Sequence, residues 1–234
     1  MEVLLIQYGD HLLSFSPYLT TLTRNYKARL RAKPGGGRHI DRYTSYGGIA
    51  IVNIRFPSSP PPAEVPVSAP GPHPALQVGA PNRYYAQLLS QDIAYTKGEM
   101  SAIYQYLYQQ WRTNEQYPEF AGTLLRIAKV EMEHLEMLGK LIVLLGGDPR
   151  CQTQLGNRFT FWNGNMVFYG RPLSRMLQND IRSERDARDL YLSQARFVKD
   201  EELSAVLARI AADEEVHLAL FQSFLARFEA GKLS

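Results

Sequence analysis

Glu131-Met132-Glu133-His134 and Glu214-Glu215-Val216-His217 decide how this chain is read. In each, a glutamate precedes a histidine by three residues, and at 3.6 residues per turn positions i and i+3 share one helical face. One metal ion can therefore meet both side chains of a pair. Apart from His73, these are the only histidines after residue 57, and both pairs sit among apolar residues: Ile127, Leu135 and Leu138 around the first, Ile210, Phe221 and Leu225 around the second. Two histidines that both follow a glutamate at this spacing would arise by chance well under once in a hundred chains of this composition.

Outward from these pairs the pattern is helical. Four segments without internal proline carry apolar residues three and four apart. They run from about 82 to 112, 120 to 145, 172 to 198 and 201 to 228. Pro81-Asn82 starts the first, and Gly146-Gly147-Asp148-Pro149 stops the second. Short connections at Tyr117-Pro118 and Lys199-Asp200 make the first and second segments, and the third and fourth, antiparallel neighbours. A long connection rich in glycine and aromatics, with Phe159, Phe161, Trp162, Phe168 and Tyr169, joins the two hairpins. The expected fold is all-α: a four-helix bundle of two antiparallel hairpins with one long crossover. An up-down bundle with a decorated loop has the same lengths.

The other two helices supply one matching carboxylate each, Glu99 and Glu184, on faces otherwise made of Leu, Ile, Ala and Tyr. A core-facing carboxylate must be protonated, paired or metal-bound, because an isolated buried charge is costly. Four glutamates and two histidines converging in one core suit two divalent ions, whose four positive charges the four carboxylates neutralise. The hairpins repeat each other: Tyr106 follows Glu99 by seven residues, and Tyr191 follows Glu184 by seven. Each tyrosine thus shares its glutamate's face, where a hydroxyl can orient a ligand carboxylate. Glu133, Glu136 and Glu215 fall off that face. Asp92 is read as an outer group, His11, His39 and His73 as incidental, and Arg182, Arg185 and Arg188 as a solvated face.

The N-terminal third differs. Eight of the 14 prolines lie between Pro57 and Pro74, a polyproline-type linker unsuited to a packed helix or central strand. Before it, residues 1–56 are basic and weakly periodic, with one strand possible at residues 47–56. The domains are then an irregular extension (1–56), a linker (57–80) and the helical dimetal unit (81–230). Net charge is +3, too mild to imply nucleic acid without a located patch. A single cysteine rules out a disulfide framework and any Cys-x-x-Cys metal knuckle. No apolar run reaches the length of a membrane span, and Glu2 stands where a signal peptide wants positive charge, so the chain reads as soluble and cytoplasmic.

On these residues the chain resembles the ferritin-like dimetal-carboxylate proteins over about residues 82–228. It is most like manganese catalases and their spore-coat relatives, with bacterioferritin and rubrerythrin next. The resemblance implies two manganese or iron ions, with Glu131 and Glu214 bridging. Glu99 with His134 would then cap one ion and Glu184 with His217 the other. In manganese catalases the glutamate matching Glu214 is not always a ligand. Rubrerythrins carry an extra glutamate where this chain has Ala187, and usually a rubredoxin module that one cysteine cannot build. The implied activity is disproportionation of hydrogen peroxide, in a homo-oligomer, with spore association as the resemblance's variant of location. Two other readings stay open: a ferroxidase or iron-storage protein acting with O2, and a coat or scaffold protein with a non-catalytic metal site. The catalases' longer crossover and C-terminal extension are departures.

Overall fold

The computed structural model describes residues 3–8, 11–15, 40–46 and 49–54, then 65–155 and 158–233. They fall into two compact units, residues 1–64 and 65–234. In the first, β1 (Val3–Tyr8), β2 (His11–Phe15), β3 (Ile40–Tyr46) and β4 (Ile49–Ile54) form one sheet in the order β2-β1-β4-β3. β1 pairs antiparallel with β2 and parallel with β4, and β3 pairs antiparallel with β4 across a bulge between Ile40 and Tyr43. The strand expected at residues 47–56 is β4, and it has neighbours on both sides. Most of the basic residues of this region, and His39, lie outside the described residues.

The second unit is the helical bundle, built from α1 (Arg83–Ala94), α2 (Glu99–Thr113), α3 (Pro118–Leu144), α4 (Leu173–Phe197) and α5 (Glu201–Glu229). Sequence signals set most of the ends. Asn82 Oδ1 accepts from the amides of Tyr84 and Tyr85 at 3.0 and 3.2 Å, and Asp200 Oδ1 accepts from Leu203 at 3.0 Å. Pro118 takes the first position of α3, where its missing N–H costs nothing. After α3, Gly146 adopts φ +80° and the Gly147 amide returns to the Ile142 carbonyl at 2.8 Å, closing the helix end.

One boundary departs from expectation. The single helix expected over residues 82–112 is broken at 95–98, because Gly98 brings its backbone against Asp92: a Cβ there would sit 2.4 Å from the Asp92 carbonyl oxygen. The Tyr95 amide closes α1 on Gln91, and Ser101 Oγ donates back to the Tyr95 carbonyl at 2.9 Å. The break leaves Glu99 in the first turn of α2, where a carboxylate suits the helix dipole.

α2 packs against α3 and α4 against α5, giving the two hairpins. The crossover holds a short antiparallel ribbon, β5 (Gln152–Leu155) and β6 (Arg158–Phe161), and a 3-10 turn at Gly164–Met166. The apolar core is in two layers. One contains Leu89, Leu138, Leu141, Leu207 and Ile210, the other Phe120, Leu124, Ile127, Leu177, Phe221 and Phe224. On α3, α4 and α5 the buried glutamates and histidines fall in sequence between contributions to the two layers. No helix among the described residues is long and apolar enough to cross a membrane.

Residues 65–80, the second half of the proline-rich stretch, belong to this unit rather than hanging free. Arg126 Nη1 donates to the Val65 carbonyl at 2.7 Å, Arg209 Nη2 to the Ala69 carbonyl at 2.8 Å, and the Gly79 amide to Asp200 Oδ2 at 2.7 Å. The side chains of Val67, Leu76 and Val78 pack against the core layers.

Candidate metal centre

Each hairpin delivers its glutamates and histidine from buried helix faces, and the structure brings all six expected residues together. Glu99, Glu131, Glu184 and Glu214 are at most 3% exposed, and His134 and His217 are fully buried. His134 Nδ1 lies 2.9 Å from Glu131 Oε2, 3.3 Å from Glu214 Oε1 and 3.9 Å from Glu99 Oε1. His217 Nδ1 lies 3.1 Å from Glu131 Oε1, 3.2 Å from Glu214 Oε2 and 3.6 Å from Glu184 Oε2. Two four-residue groups result: Glu99, Glu131, His134 and Glu214, and Glu131, Glu184, Glu214 and His217. Glu131 and Glu214 belong to both. The off-face acids behave as expected, with Glu136 pairing with Lys140 and Glu215 with Arg188 at the surface.

Protons are shared unevenly here. Burial pushes the Glu99 and Glu184 carboxyls well above the usual range, and the neighbouring charge of Glu131 on the first and Glu214 on both pushes them further. Burial works the same way on Glu131 and Glu214, but it is outweighed, by the two imidazoles at Glu131 and by a hydrogen bond with Glu184 together with the imidazoles at Glu214, so both carboxyls lie below the usual range. Burial opposes charge on the histidines too, yet Asp213 and Glu131 raise His134, and Glu131 and Glu184 raise His217. Without metal the outer carboxyls are thus pushed toward their neutral form, and the shared carboxylates and the imidazoles toward their charged forms.

This donor set fits two divalent ions. Glu131 Oε1 and Glu214 Oε1 are buried without receiving a hydrogen bond, although an imidazole nitrogen is close to each. A buried carboxylate oxygen left unpaired costs on the order of 1–3 kcal/mol unless something binds it. Both imidazoles turn Nδ1 inward and commit Nε2 outward, to Asp213 Oδ2 at 3.2 Å for His134 and to the Val67 carbonyl at 2.9 Å for His217. Those acceptors hold a proton on Nε2, so Nδ1 is the nitrogen that faces the carboxylates and that a metal ion would take in exchange for its proton.

A family model described as rubrerythrin matches residues 93–225. The chain belongs to the rubrerythrin family. Within that frame it is similar to a probable manganese catalase of Clostridium acetobutylicum, 26% identical over 168 residues covering 64% of this chain and 74% of the relative. Among solved structures it is similar to a manganese catalase from Anabaena, with TM-score 0.59 and 26% identity over 68% of this chain and 78% of that one. A bacterioferritin from Desulfovibrio desulfuricans aligns at TM-score 0.52 and 24% identity, over 65% of this chain and 87% of that one, a likeness of fold.

Like its relatives of known structure, this rubrerythrin-family chain is a ferritin-like helical bundle. Tyr106 and Tyr191 do reach ligand-face carboxylates, but across the bundle: Tyr106 Oη donates to Glu184 and Tyr191 Oη to Glu99, each in the opposite hairpin. Behind each tyrosine, one turn on, a glutamine holds a buried aspartate. Gln194 Nε2 donates to Asp92 at 2.9 Å, and Gln105 and Gln109 donate to Asp180 at 2.8 and 2.9 Å. Asp92, read from sequence as an outer group, is 1% exposed. The reading also missed Asp213 and His73. Asp213 is buried against Arg209, four residues earlier, at 2.5 Å, and accepts from the Ala69 amide and from His73 Nε2 at 3.1 Å. The available signal was Arg209-x-x-x-Asp213, a one-face charge pair on an otherwise apolar stretch. A cavity of about 20 Å³ opens at the centre between α2 and α4, lined by Glu99, Glu131, Glu184, Glu214, Gln105 and Ala187.

Proposed function

We propose that Glu99, Glu131, His134, Glu184, Glu214 and His217 hold two manganese or iron ions and that the chain disproportionates hydrogen peroxide. Glu99 and His134 would hold one ion, Glu184 and His217 the other, with Glu131 and Glu214 reaching both. The observation that carries this is the pair of buried, unpaired oxygens on the two shared glutamates, flanked by two imidazoles already turned to offer Nδ1. The ions would supply the redox chemistry, exchanging electrons with peroxide.

The protein's own part is selection and orientation. A cavity of about 20 Å³ has room for a molecule little larger than water, which needs roughly 10–15 Å³, and so suits peroxide or O2. Tyr106 and Tyr191 fix the outer carboxylates through their hydroxyl protons. Ala187 leaves the cavity wall without the additional carboxylate of rubrerythrins. Disproportionation needs no outside electron donor, since one peroxide gives up two electrons and two protons as O2 and the next takes them as water. The likeness to manganese catalases supports this choice. The exposed Phe159 and Phe161 of the crossover ribbon are proposed as contacts in a homo-oligomer.

The test is metal analysis of the purified protein beside oxygen evolution from added peroxide. About two manganese per chain with rapid oxygen release supports the reading. Many iron atoms per chain in a large shell, with O2 consumed, would replace it with ferroxidase and storage. Tight metal that raises the melting temperature without turnover would leave a coat or scaffold role. Glu131→Ala should lose both ions and all oxygen release together.

A further inference from the structure

The two hairpins are near-repeats at the metal centre, but they differ in the residue that precedes the shared glutamate. Asp213 immediately precedes Glu214 on α5, and it reaches across to hold His134 Nε2. The matching residue before Glu131 on α3 is Val130, which has no acceptor to offer. His217 is therefore without the carboxylate that its counterpart has. Its Nε2 instead lies 2.9 Å from the backbone carbonyl of Val67, in the segment outside the four-helix frame.

We propose that residues 65–73 form a positioning strap that sets the tautomer and orientation of His217, taking the place of the missing aspartate. The inference rests on the dimetal reading above. A carbonyl oxygen can only accept, so the bond fixes the proton on Nε2 and leaves Nδ1 free for a metal ion. The strap is built to hold that carbonyl still. Arg126 grips Val65 at 2.7 Å, and the Val67 side chain is seated against the layer containing Phe120 and Phe221. Beyond Val67, the Ala69 amide donates to Asp213 Oδ1 at 2.7 Å while Arg209 holds the Ala69 carbonyl. Pro66, Pro70 and Pro72 lock φ along the strap, which lowers the entropy lost in fixing it. The centre meets the cavity between α2 and α4, and the strap lies on the His217 side. Asp213 links the two devices, since its Oδ2 meets both His134 and the strap's His73 while its Oδ1 takes the Ala69 amide.

The full-length chain, labelled with 15N-histidine and loaded with zinc as a redox-silent probe, tests this by NMR and calorimetry. Wild type should bind two zinc ions and show slowly exchanging Nε2 protons on both His134 and His217. The double variant Arg126→Ala, Val67→Gly loosens the strap without touching Asp213. It should lose the His217 proton signal, keep that of His134, and bind one of the two ions on the order of 10–100-fold more weakly. Asp213→Asn should instead alter the His134 signal. If the double variant proves unstable by circular dichroism, Val67→Gly alone gives the same pattern at smaller amplitude. Retention of both protons and both affinities in a folded variant would overturn the strap's role. Wild type binding fewer than two zinc ions would instead overturn the dimetal reading, leaving the His217–Val67 bond a structural contact.

Discussion

Asp92 is a carboxyl in the core with one hydrogen-bond donor and no charge partner, so burial pushes it up to about 8, against 3.8 for the free side chain. Between those values the folded chain binds a proton there that the unfolded chain does not. Stability from this group is full below about pH 4 and falls as pH rises towards 8, on the order of 1 kcal/mol per pH unit. Asp92→Asn keeps an acceptor for Gln194 and cannot ionise. Its urea stability relative to wild type should therefore climb steadily from pH 5 to 8, and parallel curves would show that Asp92 is not buried as described. Asp180, raised to about 7 by burial against its two glutamines, should behave alike over a narrower window. The same contrast explains what could be read in advance. Glu99, Glu131, His134, Glu184, Glu214 and His217 announced themselves because helical spacing alone put them on one apolar face. Asp92, Asp213 and His73 did not. Their partners, Gln194, the Ala69 amide and Asp213 itself, come from 102, 144 and 140 residues away, and no local period encodes that.

The turn between α1 and α2 is where local pattern and real structure part. Apolar periodicity runs on through residues 95–98, so the sequence reads as one helix, yet Gly98 must approach the Asp92 carbonyl too closely for any side chain. Gly98→Ala would force backbone apart rather than a flexible side-chain tip, at a cost of roughly 1–3 kcal/mol. For a unit of this size the melting temperature should drop by roughly 3–10 °C. Because Glu99 is the next residue, metal affinity should fall as well, which calorimetry on the folded variant would reveal. A variant with unchanged melting and affinity would mean that the turn relaxes freely. The proline-rich segment errs in the other direction. Its composition reads as a linker because it forms no periodic element, whereas residues 65–80 are held by side chains of α3 and α5, from Arg126 to Asp213. Propensity describes how a segment behaves alone, and this one takes its order from its neighbours. The hairpin connectivity, by contrast, was legible because short loops leave adjacent helices no choice but to turn back.

The bundle as a whole is a charge-balanced shell around an acidic, imidazole-bearing centre, and that balance makes metal loading a proton-exchange reaction. Without metal, burial pushes Glu99 and Glu184 toward the protonated form and carboxylate neighbours push His134 and His217 toward the charged form, which in the limit is two carboxyl and two imidazole protons. To bind two divalent ions the centre must give up two carboxyl protons and two imidazole protons, four in all, after which four carboxylates face four metal charges. The net charge of the core is then zero in both states, so neither form buries a large uncompensated charge. The sign follows directly. Protons compete with metal, so affinity rises with pH across the range where these groups would otherwise stay protonated, and loading in weakly buffered solution acidifies it. Calorimetry in buffers of different ionisation enthalpy should count close to four protons per two ions near neutrality. Ions that bind only the folded chain stabilise it, so on the dimetal proposal chelation should lower the melting temperature, and the drop should widen as pH rises from 6 to 8. Glu99→Gln removes one exchangeable proton together with one proposed ligand, so the count should fall by about one even where both ions can still be driven on. A proton count near zero would mean that the imidazoles and outer carboxyls already stand deprotonated, and that the two imidazole Nδ1 atoms are not shared with protons in the metal-free chain.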